Sequence, residues 1–180
     1  MATSRWWKVF LTATLGLVLY GCGGQRPLPA PSALTGVRTA FDEYDPNLSA
    51  NGRYLVFTSN RDNSHNVYLY DLQSRRLINL PGLNSEQFTA VQPAVSNNGR
   101  FIVFVSNRLG KSEIFLYDRE TRGFENISRG NPGDVRNPSI SGDGGTIAYE
   151  QNSLGQWDVE VFLRGENAPL DVEETPAPAQ

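Results

Sequence analysis

The chain has 180 residues but one cysteine and one histidine. With Cys22 alone no internal disulfide can form, so the fold must rest on packing and hydrogen bonds. One cysteine and one histidine, His65, cannot supply the three or four ligands of a zinc site. No Gly-x-Ser-x-Gly elbow is present, so a Ser-His-Asp hydrolase has nowhere to seat its nucleophile, and His65 reads as an exposed hairpin residue. Ser141-Gly142-Asp143-Gly144-Gly145 lacks the spaced carboxylates of a calcium loop and reads as a turn. The expectation is a protein without metal or cofactor that is not an enzyme. Positive charge is also short, with 16 Lys and Arg against 19 Asp and Glu, which gives no electrostatic reason to bind nucleic acid.

Long apolar runs are missing too. Val9 to Tyr20 is an uncharged, mostly apolar run of twelve residues, short of the roughly twenty that a membrane-crossing helix needs. Arg5 and Lys8 precede it, so residues 1–21 read as a targeting segment. The run ends in Leu19-Tyr20-Gly21-Cys22, which resembles the lipobox of bacterial lipoproteins. That resemblance implies a lipidated Cys22 as the first residue of the mature chain, with Tyr20 bulkier than usual at its position. Residues 22–33 are rich in glycine and proline and read as an extended tether. The tail at 166–180 is acidic, rich in proline and alanine, and without periodicity, so it is expected to be disordered.

What the chain does have is repetition. Asp45-Pro46-Asn47-Leu48-Ser49-Ala50-Asn51-Gly52 returns 47 residues later as Gln92-Pro93-Ala94-Val95-Ser96-Asn97-Asn98-Gly99. A looser copy begins at Asn137-Pro138-Ser139-Ile140-Ser141 and passes through Asp143-Gly144. Val67-Tyr68-Leu69-Tyr70-Asp71 likewise matches Ile114-Phe115-Leu116-Tyr117-Asp118 and, more weakly, Val159-Glu160-Val161-Phe162-Leu163. A period of about 45 residues built from short β-like runs is the signature of propeller blades. The expected fold is all-β, with antiparallel four-stranded blades in three copies at about 45–82, 92–128 and 137–163.

In each blade the first strand is expected to begin at its proline, where a missing N–H is tolerated. The Asn-Gly or Asp-Gly pair at Gly52, Gly99 and Gly144 then predicts a type I′ hairpin with both central residues at positive φ. Asp71 and Asp118 end the third strands, where an aspartate can accept backbone N–H groups of the next turn. The third copy lacks a fourth strand, and residues 34–38 stand where a closing strand would come from. Three copies leave three arrangements open: two chains exchanging strands into a six-bladed homodimeric ring, an open or partner-completed arc, and a closed three-bladed monomer.

The proline, Asn/Asp-Gly, Ser-Asn-Arg and aromatic-Leu-Tyr-Asp elements together resemble the TolB-type propeller repeat, a relative of WD40 blades. The resemblance runs from about Leu34 to Leu163. It implies a periplasmic, protein-binding propeller, in TolB's case within the Tol–Pal envelope system. This chain departs from TolB in having three blades rather than six, no separate N-terminal α/β domain, and a lipid anchor. The implied partners are other envelope proteins, with the chain held by lipid to a membrane, the outer one favoured. The alternative is a small-ligand or glycan sensor using the cavity of the arc. Interface candidates are Trp157, alone at a hairpin tip; His65, at the equivalent position; and Arg61 and Arg108, which recur and either bridge blades or face a partner.

Overall fold

The structure, a computed structural model, describes Val37 and residues 39–171. The chain divides between Val37 and Arg38, and the fold below belongs to the second unit. The expected targeting segment, the tether with Cys22, the closing strand at 34–38 apart from Val37, and the tail past residue 171 lie outside the described residues.

Strands β1 (Glu43–Leu48), β2 (Tyr54–Ser59), β3 (Asn66–Asp71) and β4 (Arg76–Ile78) form blade 1 in that order. Blade 2 repeats the pattern with β5 (Ala90–Val95), β6 (Phe101–Ser106), β7 (Glu113–Asp118) and β8 (Gly123–Asn126). Blade 3 has three strands, β9 (Asp134–Ile140), β10 (Thr146–Asn152) and β11 (Asp158–Leu163). All pairings are antiparallel, and no helix forms among the described residues.

Burial follows from stacking of the blades. On β2 and β3 the pairs Tyr54–Asp71, Val56–Leu69 and Thr58–Val67 share one face, here called the front because it meets the next blade. Val56, Val67 and Leu69 pack with Ile102, Phe104, Phe115 and Tyr117 of blade 2, and with Leu80 and Leu83 of the linker, in one core. A second core joins Phe101, Val103, Ile114 and Leu116 of blade 2 to Val135, Ile147 and Tyr149 of blade 3. Blade 2 is therefore covered twice, and every residue of β6 is buried.

Three expectations are corrected. The prolines do not start their strands: Pro46, Pro93 and Pro138 lie inside β1, β5 and β9, where the pairing register shifts. The residues before them, Asp45, Gln92 and Asn137, have φ of 52°, 52° and 50°. A bulge leaves a residue out of the ladder, so proline is accommodated and the strand continues through it.

The hairpin turns are not type I′ either, because only the glycines carry positive φ, +71° at Gly52 and Gly99 and +75° at Gly144. Local side-chain bonds select this turn. Asn51 Oδ1 accepts from Ser49 Oγ and from the Arg53 amide, and Ser49 Oγ accepts from the Tyr54 amide at 2.9 Å. Ser96 and Ser141 accept from Phe101 and Thr146 in the same way.

The tail is not disordered from Glu166: residues 166–171 are described, and they end on a buried Asp171. Asp171 Oδ2 accepts from Ser96 Oγ and from the Asn98 amide, both at 2.6 Å, and its own amide donates to Asp143 O. Tail composition carries no sign of these partners, about 75 residues away.

Candidate functional site

Antiparallel register sorts the singled-out residues onto two rims. Glu43 pairs with Ser59 and Leu48 with Leu55, so the β2–β3 hairpin lies at one end of the blade and the β1–β2 turn at the other. Arg61, His65, Arg108 and Trp157 belong to hairpins at the first end, the hairpin rim. Gly52, Gly99, Gly144, Asp71 and Asp118 lie at the opposite turn rim.

On the turn rim the recurring aspartates hold their own blades together. Asp71 accepts from the Gln73 and Ser74 amides at 2.8 and 3.2 Å, and Arg53 Nη2 reaches its other oxygen at 3.0 Å. The Arg53 hydrogen bond, aided by these amides against the effect of burial, holds the Asp71 carboxyl down to about 2. Asp118 binds Arg100 twice and the Glu120 amide. Burial works against its ionisation, yet the Arg100 hydrogen bonds and turn amides outweigh burial and lower its pKa. Blade 3 lacks both partners at once, with Gly145 and Leu163 in place of arginine and aspartate.

The same rim carries contacts between blades that sequence reasoning missed. The Arg119 guanidinium of blade 2 lies over Tyr54 of blade 1 at 5.7 Å, and Arg164 after β11 lies over Phe101 of blade 2 at 4.4 Å. Gly99 and Gly144 fit beneath these rings: a Cβ on Gly99 would stand 3.1 Å from Tyr54, and one on Gly144 2.4 Å from Phe101. At Gly52 a Cβ would meet nothing. The available signal was the aromatic residue that opens both β2 and β6.

The hairpin rim is different in chemistry. Arg61 caps Phe57 and Tyr68, with its guanidinium 5.6 and 4.3 Å from the rings, and pairs with Glu43. Arg108 lies 3.9 Å from Phe124 and 4.5 Å from Phe88, and donates to Gly82 O in the linker. Burial pushes its guanidinium pKa down. His65 meets Tyr44 edge-on at 5.7 Å, and Trp157 lies under Arg136 at 3.7 Å. Tyr44 and Arg136 both stand just before the bulge residue, so the two hairpin tips each pair with the same position of the first strand. Leu109 and Leu154 are exposed at hairpin tips, Leu154 by 86%. Apolar residues where turn chemistry favours polar ones were the available signal for them.

An open cleft of about 470 Å³ lies beside β4, lined in part by Tyr68, Leu77, Pro81 and Asn84. It sits on the outer side of blade 1, and none of its lining comes from the first strands that would face a propeller axis.

Among solved structures, TolB from Acinetobacter baumannii matches with a TM-score of 0.55 at 20% identity, over 70% of this chain and 31% of that one. The fold is a TolB-like partial propeller. A protein described as TolB from Agrobacterium tumefaciens matches with a TM-score of 0.52 at 20% identity, over 69% of this chain and 45% of that one. A prolyl endopeptidase structure matches at 0.51 and 15% identity, over 76% of this chain and 20% of that one. The chain thus spans less than half the length of each of these structures. No protein-family model matches it, and no curated protein does. In this TolB-like arc, hairpin-rim residues from three blades project on one side of the stack while the structural aspartates and glycines occupy the other.

Proposed function

We propose that the chain is a non-catalytic protein-binding scaffold of the bacterial cell envelope, tethered on the periplasmic side by lipid at Cys22, with the outer membrane favoured. Its partners are other envelope proteins, in machinery of the Tol–Pal kind. The observation that carries the reading is the hairpin rim, where Trp157 and Arg136 stand exposed against each other and Leu109 and Leu154 stand exposed at the hairpin tips of blades 2 and 3. Exposed Trp and Arg on a rigid sheet framework are the residue types that dominate binding energy at protein interfaces. The TolB-like fold supports a scaffold role. The lipobox-like Leu19-Tyr20-Gly21-Cys22 supports the tether.

Capture of the tagged full-length chain from cross-linked envelopes tests the binding role. Defined protein partners retained by wild type and lost with Trp157→Ala are expected. Retention of saccharide fragments without proteins would favour the sensor reading instead. Metabolic labelling with a fatty acid tests the tether, with label expected on wild type and absent from Cys22→Ser.

A further inference from the structure

The end faces of the arc carry a second, independent message. Positions that are buried between blades elsewhere are bare on the front of blade 3. Val67 and Leu69 are 0% exposed, Ile114 and Leu116 are 0% and 2%, and the equivalent Val159 and Val161 are 70% and 58%. On the back of blade 1, Leu48 is 56% exposed where its equivalent in blade 2, Val95, is 5%. Arg61 shields part of this back face through Phe57 and Tyr68, but Leu48 and Gly52 remain open.

We propose that the partner for these two faces is a second copy of this chain, with the front of blade 3 in each copy seated on the back of blade 1 in the other. Two three-bladed arcs then close a six-bladed ring, a size within the range of known propellers.

The choice of a second copy rests on how the blades already join. The side chain of each bulge residue accepts the amide of the next: Asp45 Oδ2 takes the Gln92 amide at 3.2 Å, and Gln92 Oε1 takes the Asn137 amide at 3.0 Å. Asn137 continues the series, because its Nδ2 is engaged with Glu150 while no donor among the described residues meets its Oδ1. At the other end, no acceptor side chain among the described residues meets the Asp45 amide. The open acceptor and the open donor are the two halves of one missing step.

The cation–π series gives a matching result. Arg119 on Tyr54 and Arg164 on Phe101 join consecutive blades. At the step from blade 3 to a following blade 1, the aromatic is replaced by Thr146 and the arginine by Leu72. Replacement of one member alone would leave an unpaired guanidinium or an uncovered ring; replacement of both leaves neither. Gly52, with open space in front of it, would then lie against Thr146 as Gly99 lies against Tyr54.

The test is the mass in solution of the full-length chain in mild detergent, measured by sedimentation across a concentration series. A dimer that dissociates on dilution is expected. Val161→Glu places a charge on the bare face without touching the single-chain core, so it should weaken dimerisation at least about tenfold, with a melting temperature equal to wild type once both are diluted to monomers. Val159→Lys serves the same purpose if Val161→Glu folds poorly. A wild-type chain that stays monomeric at every concentration overturns the proposal, whether or not envelope proteins are captured on the hairpin rim. An unbounded series of larger species, or a dimer untouched by both variants, overturns it as well.

Discussion

Blade 2 and blade 3 are built on the same strand pattern, and they differ in what lies in front of them. In blade 2 the front positions Phe101, Val103, Ile114 and Leu116 are buried against blade 3. In blade 3 the same positions are Thr146, Ala148, Val159 and Val161, none of them buried. A repeat therefore does not have a core of its own; its core is the space between it and its neighbour, and stability is a property of junctions.

The sharpest way to break that comparison is to remove the ring at the centre of the second junction. Phe101→Ala should cost about 3–5 kcal/mol, while Thr146→Ala at the equivalent place should fall within about 1 kcal/mol of wild type. Urea denaturation of both variants measures the contrast. Next in size, Leu116→Ala should cost about 2–4 kcal/mol in the same assay, and Val161→Ala, exposed in the single chain, about 0.5 kcal/mol or less.

Asp171→Ala tests whether the returning segment belongs to the blade 2 junction. It leaves Ser96 Oγ and the Asn98 amide without that acceptor and should cost about 1–3 kcal/mol. Hydrogen exchange should show the loss first at residues 96–101.

Acid sharpens the contrast between blades 1 and 2, which have the arginine–aspartate clasp, and blade 3, which lacks it. The folded carboxyl of Asp71 is held at about 2, below its unfolded value of about 3.9. A depressed pKa contributes stability that is complete above the unfolded value and disappears as pH falls through the folded one. Stability should drop between about pH 4 and pH 2, and Asp71→Asn should flatten that acid limb while lowering stability near neutrality by about 1 kcal/mol. The smallest stability effect, within about 0.5 kcal/mol, is expected for Trp157→Ala, an exposed residue whose loss should show in partner capture and not in melting.

Much of this fold was legible because a repeat exposes its own pattern. The runs Tyr54–Thr58 and Phe101–Val105 were recognisable as inner strands from their near-continuous apolar character. The bulges were not legible, since Asp45, Gln92 and Asn137 belong to different residue types and share only a position before proline. The turn type was misjudged because a Ser and an Asn side chain, hydrogen-bonded to each other and to nearby amides, outweigh the Asn-Gly preference for a primed turn. Of the singled-out residues, Arg61, His65, Arg108 and Trp157 could be placed on one rim from strand register alone. Their contacts with Glu43, Tyr44, Phe88 and Arg136 could not, because each depends on how far a neighbouring strand or linker reaches. Asp171 was the least visible, being an acidic residue in a stretch of composition typical of tails.

That same residue has a mechanical consequence. A load carried along the chain beyond residue 171 reaches Asp171 before it reaches β11, and there it pulls against bonds to Ser96, Asn98 and Asp143. Edge strands peel from sheets by unzipping one bond at a time, whereas here a clasp on the neighbouring blade must shear first. Blade 3, the least covered of the three, is thereby strapped to the best covered one on the side where tension would arrive.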